Sequence, residues 1–370
     1  MKVNILMSQI SLPNTSIGSW NIMFTKLIAN KPNLFTHIIT PKAEQKISNA
    51  VYHDVKPQLI QSHKLQKIFK NSKYKNYFKP LKKILANNNF ATINVIDNKN
   101  LLIALHKYLV KNKLRDKVRI IYHLHGFDVK GVDRNHFFQA LDTFLVLTNT
   151  SYQNQVNLQH ALSCKVKQIY NGVDTKLFKP ISEQEQKSIK RKLGLKNDTS
   201  YYLWLSQDRK KKGLHVVLEA WSDFIKDKEN VHLIVIGTKD YGPKEQVTFL
   251  GRIKNTELPK FYQISTFFIF STLCHEGHPL ALTEALKSGC YCLTSDIDPL
   301  SEVLNNGEYG VLVEVPNDPD SWLKSLNITL EDYKINGNRF KIPEELYCID
   351  NWMNTIEFYI LEEHNYKNAI

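Results

Sequence analysis

No stretch of the 370-residue chain runs for 18 apolar residues, which excludes a membrane-spanning helix. The apolar N-terminal segment turns polar after Met7, too soon for the core of a secretion signal. A cytoplasmic protein is therefore expected. Cysteines are few: Cys164, Cys274, Cys290, Cys292 and Cys348 make an odd, scattered set without metal-ligand spacing. That pattern argues for reduced thiols over a disulfide framework or a zinc site. Internal repeats and low-complexity tracts are missing as well. Acidic residues are absent between positions 55 and 96, where nine lysines fall.

The composition, 42% hydrophobic, 11% aromatic and 23% charged, is that of a globular protein. The length exceeds what one hydrophobic core ordinarily organises, so two domains are expected. Charge divides the chain in the same way. Residues 1–170 hold 25 Lys and Arg against 7 Asp and Glu, whereas the remainder carries a net charge of −5. Such asymmetry suits one half that meets an anionic partner.

Short apolar runs alternate with amphipathic stretches along both halves. In the first half, strands are expected at 3–8, 36–40, 91–96, 118–123, 143–147 and 166–169, with helices near 20–28 and 101–110. The pattern restarts at Tyr201, with strands at 201–205, 231–237, 247–251, 266–271, 291–294 and 310–314 and a helix over 213–226. Alternation of this kind predicts α/β domains with parallel, doubly wound sheets. The hydrophilic stretch 174–200 is the seam. The expected division is 1–173, 174–345 and a C-terminal helix within 346–370, where Ile349, Trp352, Met353, Ile356 and Ile360 form a helical stripe that would cross back to the first domain. Ligands in such folds bind outside the carboxyl ends of the strands.

The richest segment is Cys274-His275-Glu276-Gly277-His278-Pro279-Leu280-Ala281-Leu282-Thr283-Glu284-Ala285-Leu286. Pro279 suits the first position of a helix, with Glu276 in the loop and Glu284 inside the helix. Eight helical residues span at most about 12 Å, a long reach for the carboxylate pair of a glycosidase. The spacing fits two contacts on one elongated ligand, with a helix N-terminus between them to receive an anion. It fits two solvated helix-edge acids equally well. A second feature, Gln207-Asp208-Arg209-Lys210-Lys211-Lys212-Gly213, puts four cations on a strand-to-helix turn. It reads as an anion site or as a solvated lysine run. Asp296-Ile297-Asp298 spells a D-x-D metal motif, but between a strand and a helix it reads as turn and capping chemistry, and no metal is expected.

Taken in order, Tyr170-Asn171-Gly172-Val173-Asp174 with Phe178-Lys179-Pro180, Lys212-Gly213, Phe249-Leu250-Gly251, Glu276-Gly277-His278-Pro279, Glu284-Ala285-Leu286 with Gly289, then Pro299 and Glu302, resemble a family 4 glycosyltransferase. The resemblance runs over about residues 118–320. It implies the GT-B fold, two Rossmann-like domains facing each other across a cleft, and retaining transfer of a sugar from a nucleotide-sugar without metal or other cofactor. The family pattern makes Glu276, His125 and Lys212 the catalytic set. Glu276 contacts the donor sugar, His125 lies near the reacting sugar, and Lys212 binds the diphosphate. Glu284 contacts the ribose; Arg209, Lys211, Gly277, His278, Pro279, Leu280, Gly18, Gly251 and Arg252 complete the donor site. Two departures stand out. Gln207 replaces the family's usual arginine, so Arg209 or Lys211 must supply its charge, and His278-Pro279 replaces Phe-Gly. The implied partners are a nucleotide-sugar and a glycan or lipid-linked acceptor, in bacterial-type surface polysaccharide or lipopolysaccharide synthesis. A non-hydrolysing nucleotide-sugar epimerase shares the fold, and a non-catalytic glycan- or nucleic-acid-binding protein is the other rival.

Residues 56–85 mix lysines with Tyr74, Tyr77, Phe78, Leu81, Ile84 and Leu85 at helical spacing, with Pro80 expected to break or start the helix. The mixture suits the headgroup region of an anionic membrane, hence peripheral attachment; the same spacing equally describes core aromatics under a solubilising lysine face. No nucleic-acid-binding pattern accompanies the basic charge, and nucleic acid is not expected as a partner.

Overall fold

The computed structural model describes residues 3–14, 19–43, 45–56, 72–157 and 163–362. They fall into two compact units, one drawn from Met1–Tyr170 and Trp352–Ile370 and the other from Asn171–Asn351.

In the first unit the order is β1 (Val3–Met7), α1 (Ser19–Asn30), β2 (His37–Thr40), β3 (Val51–Asp54), α2 (Lys75–Ala86), β4 (Ala91–Ile96), α3 (Lys99–Lys111), β5 (Val118–His123), α4 (Arg134–Gln139), β6 (Thr143–Val146), α5 (Asn149–Val156) and β7 (Lys165–Gln168). The strands form one parallel sheet in the order β3-β2-β1-β4-β5-β6-β7. Its central members β1, β4 and β5 are buried along their whole length, as a parallel sheet covered on both faces requires. The sheet order reverses between β1 and β4, so the crevice of this unit opens at their carboxyl ends. The edge strand β3, Val-Tyr-His-Asp, has no fully buried residue and lacks the apolar run that marked the others.

The second unit contains α6 (Glu183–Lys192), β8 (Ser200–Leu205), α7 (Leu214–Phe224), β9 (Val231–Ile236), β10 (Val247–Phe249), α8 (Leu258–Ile264), β11 (Phe267–Phe270), α9 (Leu280–Lys287), β12 (Tyr291–Ser295), α10 (Leu300–Val303), β13 (Val311–Val313) and α11 (Pro319–Asn336). This sheet too is parallel, in the order β10-β9-β8-β11-β12-β13, with its reversal between β8 and β11.

The last helix, α12 (Ile349–Leu361), returns the chain to the first unit. Trp352 meets Phe24 edge-on at 5.4 Å between ring centres. Lys31 pairs with Glu357 at 2.6 Å, and the buried Arg119 donates to the carbonyl of Glu362 at 2.9 Å.

Helix α2 corrects one expectation. Tyr74, Tyr77, Phe78, Leu81, Ile84 and Leu85 are core residues, so those aromatics offer nothing to a membrane. Phe78 stacks on Tyr108 at 4.6 Å, and the Tyr77 hydroxyl donates to the carbonyl of Ser8. Lys73, Lys75, Lys79, Lys82 and Lys83 remain exposed. Pro80 lies inside the helix, which it neither starts nor ends. Residues 57–71 of the lysine-rich stretch lie outside the described residues.

Candidate active site

Two glycines fix the loops at the reversal of the second sheet. Gly213 has φ +73°, and a Cβ there would stand 1.8 Å from the carbonyl oxygen of Ser271. Gly237 has φ +96°, and its Cβ would meet the Ser206 carbonyl at 2.1 Å. Only glycine lets the turn after β8 press against the end of β11 and against the loop after β9. Further hydrogen bonds lace the same seam. The Ser271 hydroxyl donates to Lys212 O at 3.0 Å and accepts from Trp204 Nε1 at 2.9 Å, while Leu273 N donates to Lys211 O at 2.8 Å.

This lacing brings Lys212 and Glu276, 64 positions apart in sequence, into direct contact. Lys212 Nζ donates to Glu276 Oε1, which also accepts from the Thr272 hydroxyl at 2.7 Å. Both charged side chains are mostly buried, 14% and 17% exposed, so their attraction is screened less than at the surface and losing either partner would strand a buried charge. Beyond it, α9 begins at Leu280, one residue later than expected, with Pro279 at the N-cap. Because proline lacks an N–H, the unpaired amides at this terminus start with Leu280.

Glu284, on α9, accepts from the Tyr262 hydroxyl at 2.9 Å. Burial drives the Tyr262 phenol well above its ordinary pKa, and the neighbouring Glu284 carboxylate adds to the rise, so this proton stays on the tyrosine. Asn171 donates through Nδ2 to the carbonyl of His278 at 2.9 Å. Gly172 lets the 347–349 segment pass, since a Cβ there would lie 2.6 Å from Cys348 O. The buried His278 ring packs on Tyr347 at 4.7 Å, and burial depresses its pKa to about 3.

The basic turn divides. Lys212 goes to Glu276, whereas Arg209 and Lys210 border a separate cavity of about 660 Å³, with Asp208, Tyr241 and the α7 residues Leu214 and Leu218. Lys211 is exposed. Gly251 has φ +64°, and its carbonyl accepts from Gly237 N at 2.7 Å; the neighbouring Arg252 is exposed. Gly277 sits between Glu276 and His278 in the same loop. Of the D-x-D residues, Asp298 gives its carbonyl to His275 Nδ1 at 2.9 Å and Asp296 its amide to Val313 O. No group of three or more His, Cys, Asp or Glu among the described residues could hold a metal ion.

His125 belongs to the first unit, just past β5. Its ring stacks on Trp20 at 5.6 Å and 21° and meets Phe24 edge-on at 5.8 Å. Phe24 in turn touches His123 and Trp352, each at 5.4 Å. Neither ring nitrogen of His125 has a hydrogen-bond partner among the described residues. Burial lowers its pKa to about 3, so the imidazole is neutral at physiological pH. Its amide donates to Asp97 Oδ1 at 3.1 Å. Gly18 lies outside the described residues. Thr272, Tyr262, Asn171, Trp20 and Asp97 escaped the sequence reading as site residues. Asn171 was visible as part of a motif, but nothing in the sequence pointed to the other four.

Residues 185–341 match the sequence family described as glycosyl transferases group 1. Spore coat protein SA of Bacillus subtilis (strain 168) is 27% identical over 184 residues, 44% of this chain and 48% of that protein. The alpha-monoglucosyldiacylglycerol synthase of Streptococcus pneumoniae is 27% identical over 208 residues, 52% of this chain and 46% of that enzyme. The chain thus spans about half the length of these curated relatives. Among solved structures, Anabaena Alr3699/HepE in complex with UDP and glucose has a TM-score of 0.73 at 15% identity, covering 97% of this chain and 99% of that one. The two parallel-sheet α/β units are those of the GT-B fold.

Proposed function

We propose that this chain, which carries a glycosyl transferases group 1 domain over residues 185–341, is a retaining, metal-independent hexosyltransferase of family 4. Its donor is a nucleotide-sugar, and its acceptor a glycan or lipid-linked glycan of surface-polysaccharide or lipopolysaccharide synthesis. The second unit takes the donor and the first unit the acceptor. The observation that carries this reading is the Lys212–Glu276–Thr272 cluster at the reversal point of the second sheet, beside the N-terminus of α9. A cation and helix amides suit a diphosphate, and a carboxylate suits sugar hydroxyls. An ammonium has three donors, so Lys212 can keep Glu276 and still hold a phosphate oxygen.

In the reaction the acceptor hydroxyl attacks the anomeric carbon on the face from which the nucleoside diphosphate departs. The bond from that carbon to the phosphate oxygen breaks as the new glycosidic bond forms. The leaving phosphate oxygen takes the acceptor's proton. Lys212 and the first amides of α9 stabilise the charge that builds on the diphosphate. Glu276 orients the sugar and Glu284 anchors the ribose, and His125 of the first unit completes the proposed catalytic set as a neutral imidazole. Glu276→Ala should abolish transfer while leaving the melting temperature near wild type; full activity in that variant would refute the role. A thermal-shift panel of UDP-, GDP- and ADP-sugars identifies the donor, and nucleotide release without any acceptor would point to the epimerase.

The relative named for diacylglycerol supports a lipid-borne acceptor, and the lysine face of α2 supports a cytoplasmic enzyme peripheral to the inner face of the membrane. Sedimentation with anionic but not neutral vesicles is the expected result, and indifference to both would end this part of the reading.

A further inference from the structure

A second cavity, of about 310 Å³, lies in the first unit at the carboxyl ends of β4 and β5. Asp97, Lys99, Leu124, Gly126, Asp128 and Lys130 border it. Its volume is at the low end for ligand sites, matching one sugar ring better than an oligosaccharide.

The charges around it are not equivalent. Asp128 is spent inside the protein: its Oδ1 accepts from Val129 N at 2.6 Å and from Arg134 Nη2 and Gln155 Nε2 at 3.0 Å each. Lys99 Nζ is anchored on the carbonyl of Lys130, which leaves ammonium protons free. The Asp97 carboxylate accepts one protein hydrogen bond among the described residues, from the amide of His125 to Oδ1, while the Asp97 amide donates to His123 O at 2.8 Å. Its backbone is held at φ +43°, a left-handed conformation uncommon outside glycine, though aspartate and asparagine adopt it more readily than other residues. Desolvation by the protein around it raises the Asp97 pKa to about 6 against the opposing His125 hydrogen bond, although the residue as a whole is exposed. Open carboxylate and anchored ammonium therefore share one small cavity. An anionic ligand would meet Asp97, and a cationic ligand would meet Lys99 and Lys130. A pair of neighbouring hydroxyls satisfies both, because each hydroxyl can donate to the carboxylate and accept from the ammonium.

We propose that this cavity is a subsite for a neutral, hydroxyl-rich sugar ring, with Asp97 as the residue that selects it. The assignment rests on the glycosyltransferase reading, in which the ring is the acceptor's terminal sugar. Asp97 lies next to the amide of His125, whose ring nitrogens have no hydrogen-bond partner among the described residues, so acceptor and reacting centre would share one loop.

The test is equilibrium binding of neutral methyl glycosides (glucoside, galactoside, mannoside and N-acetylglucosaminide) to the full chain, read by calorimetry and saturation-transfer NMR. Asp97→Gly deletes the carboxylate at a backbone angle glycine tolerates, and should weaken the bound glycoside at least tenfold. Asp97→Asn, isosteric and tolerant of the same angle, should fall between it and wild type. Unchanged affinity in both variants, or no glycoside bound by wild type, overturns the assignment. Nucleotide-sugar binding is measured on the same samples. Donors that bind while glycosides do not would remove the subsite alone. Asp97-dependent glycoside binding without any donor would keep the subsite and remove the transfer reading.

Discussion

The two units present their candidate residues at equivalent places, the reversal points of their sheets, and equip them in opposite ways. In the second unit the charges are already engaged: Lys212, Glu276 and Thr272 hold one another, and Glu284 holds Tyr262. In the first, the central group is a neutral histidine among aromatic rings, and the nearest carboxylate, Asp97, is open. A site meant for a diphosphate gains from charges fixed before the ligand arrives, because nothing need reorganise when negative charge builds. A site meant for hydroxyl groups gains from polar atoms left unpaired until hydroxyls reach them.

The contrast is sharpest at the backbone. Gly213→Ala would force a Cβ to within 1.8 Å of a main-chain oxygen at a φ of +73°, so neither a rotamer change nor a small shift accommodates it. The expected cost is about 4 kcal/mol or more, which places it among the largest single-substitution effects. Urea unfolding of the variant measures it. A variant melting within about 1 kcal/mol of wild type would mean that the turn carrying Lys212 is not clamped, and the difference between the units would collapse.

Most of the fold was legible because parallel strands buried on both faces write themselves as apolar runs: Ala91–Ile96 and Val231–Ile236 could be read directly. Val51–Asp54 could not, since an edge strand half open to solvent has no such run. Helix α2 shows the limit of periodicity, which gives the faces of a helix but not which one meets the core. The buried Tyr77 and Phe78 and the exposed Lys79 and Lys82 fit either arrangement until the sheet is present. In the second unit the candidate residues sit within a few positions of strand ends, so motifs locate them. The surroundings of His125 are drawn from α1, the end of β4 and α12, stretches that share no spacing. Only the fold brings Trp20, Phe24 and Asp97 to one histidine.

Acid offers a milder test. His123 in the first unit and His278 in the second are each 3% exposed, and burial depresses both to about pKa 3. The unfolded chain titrates these groups near 6.5, so between about pH 6.5 and 3 it binds protons that the folded chain refuses. Stability is therefore full above pH 6.5 and declines as pH falls, by about 1.4 kcal/mol per pH unit for each histidine. Asp97 acts in the reverse sense. Its folded pKa of about 6 exceeds the unfolded value, so its contribution favours the folded state as pH drops from 6 toward 4. In the first unit Asp97 therefore offsets part of the acid sensitivity that His123 and the equally depressed His125 create. Urea unfolding between pH 7 and 5.5 should be less acid-sensitive in His278→Gln than in wild type; equal slopes would mean that this ring is hydrated in the folded state.

The smallest expected effect bears most directly on the open carboxylate. Asp97→Gly removes the acceptor of the His125 amide, worth about 1 kcal/mol, and adds unfolded-chain entropy of about 0.5–1 kcal/mol. Against these stands relief of a left-handed aspartate, of order 1–3 kcal/mol. The terms oppose one another, so the melting midpoint should move by no more than about 1 kcal/mol equivalent, in contrast to Gly213→Ala. A midpoint that moves this little, together with weakened glycoside binding, would separate a binding role for Asp97 from a structural one. Loss of several kcal/mol in Asp97→Gly would make Asp97 a structural member of its loop, engaged like Glu284, and the two units would then be built alike.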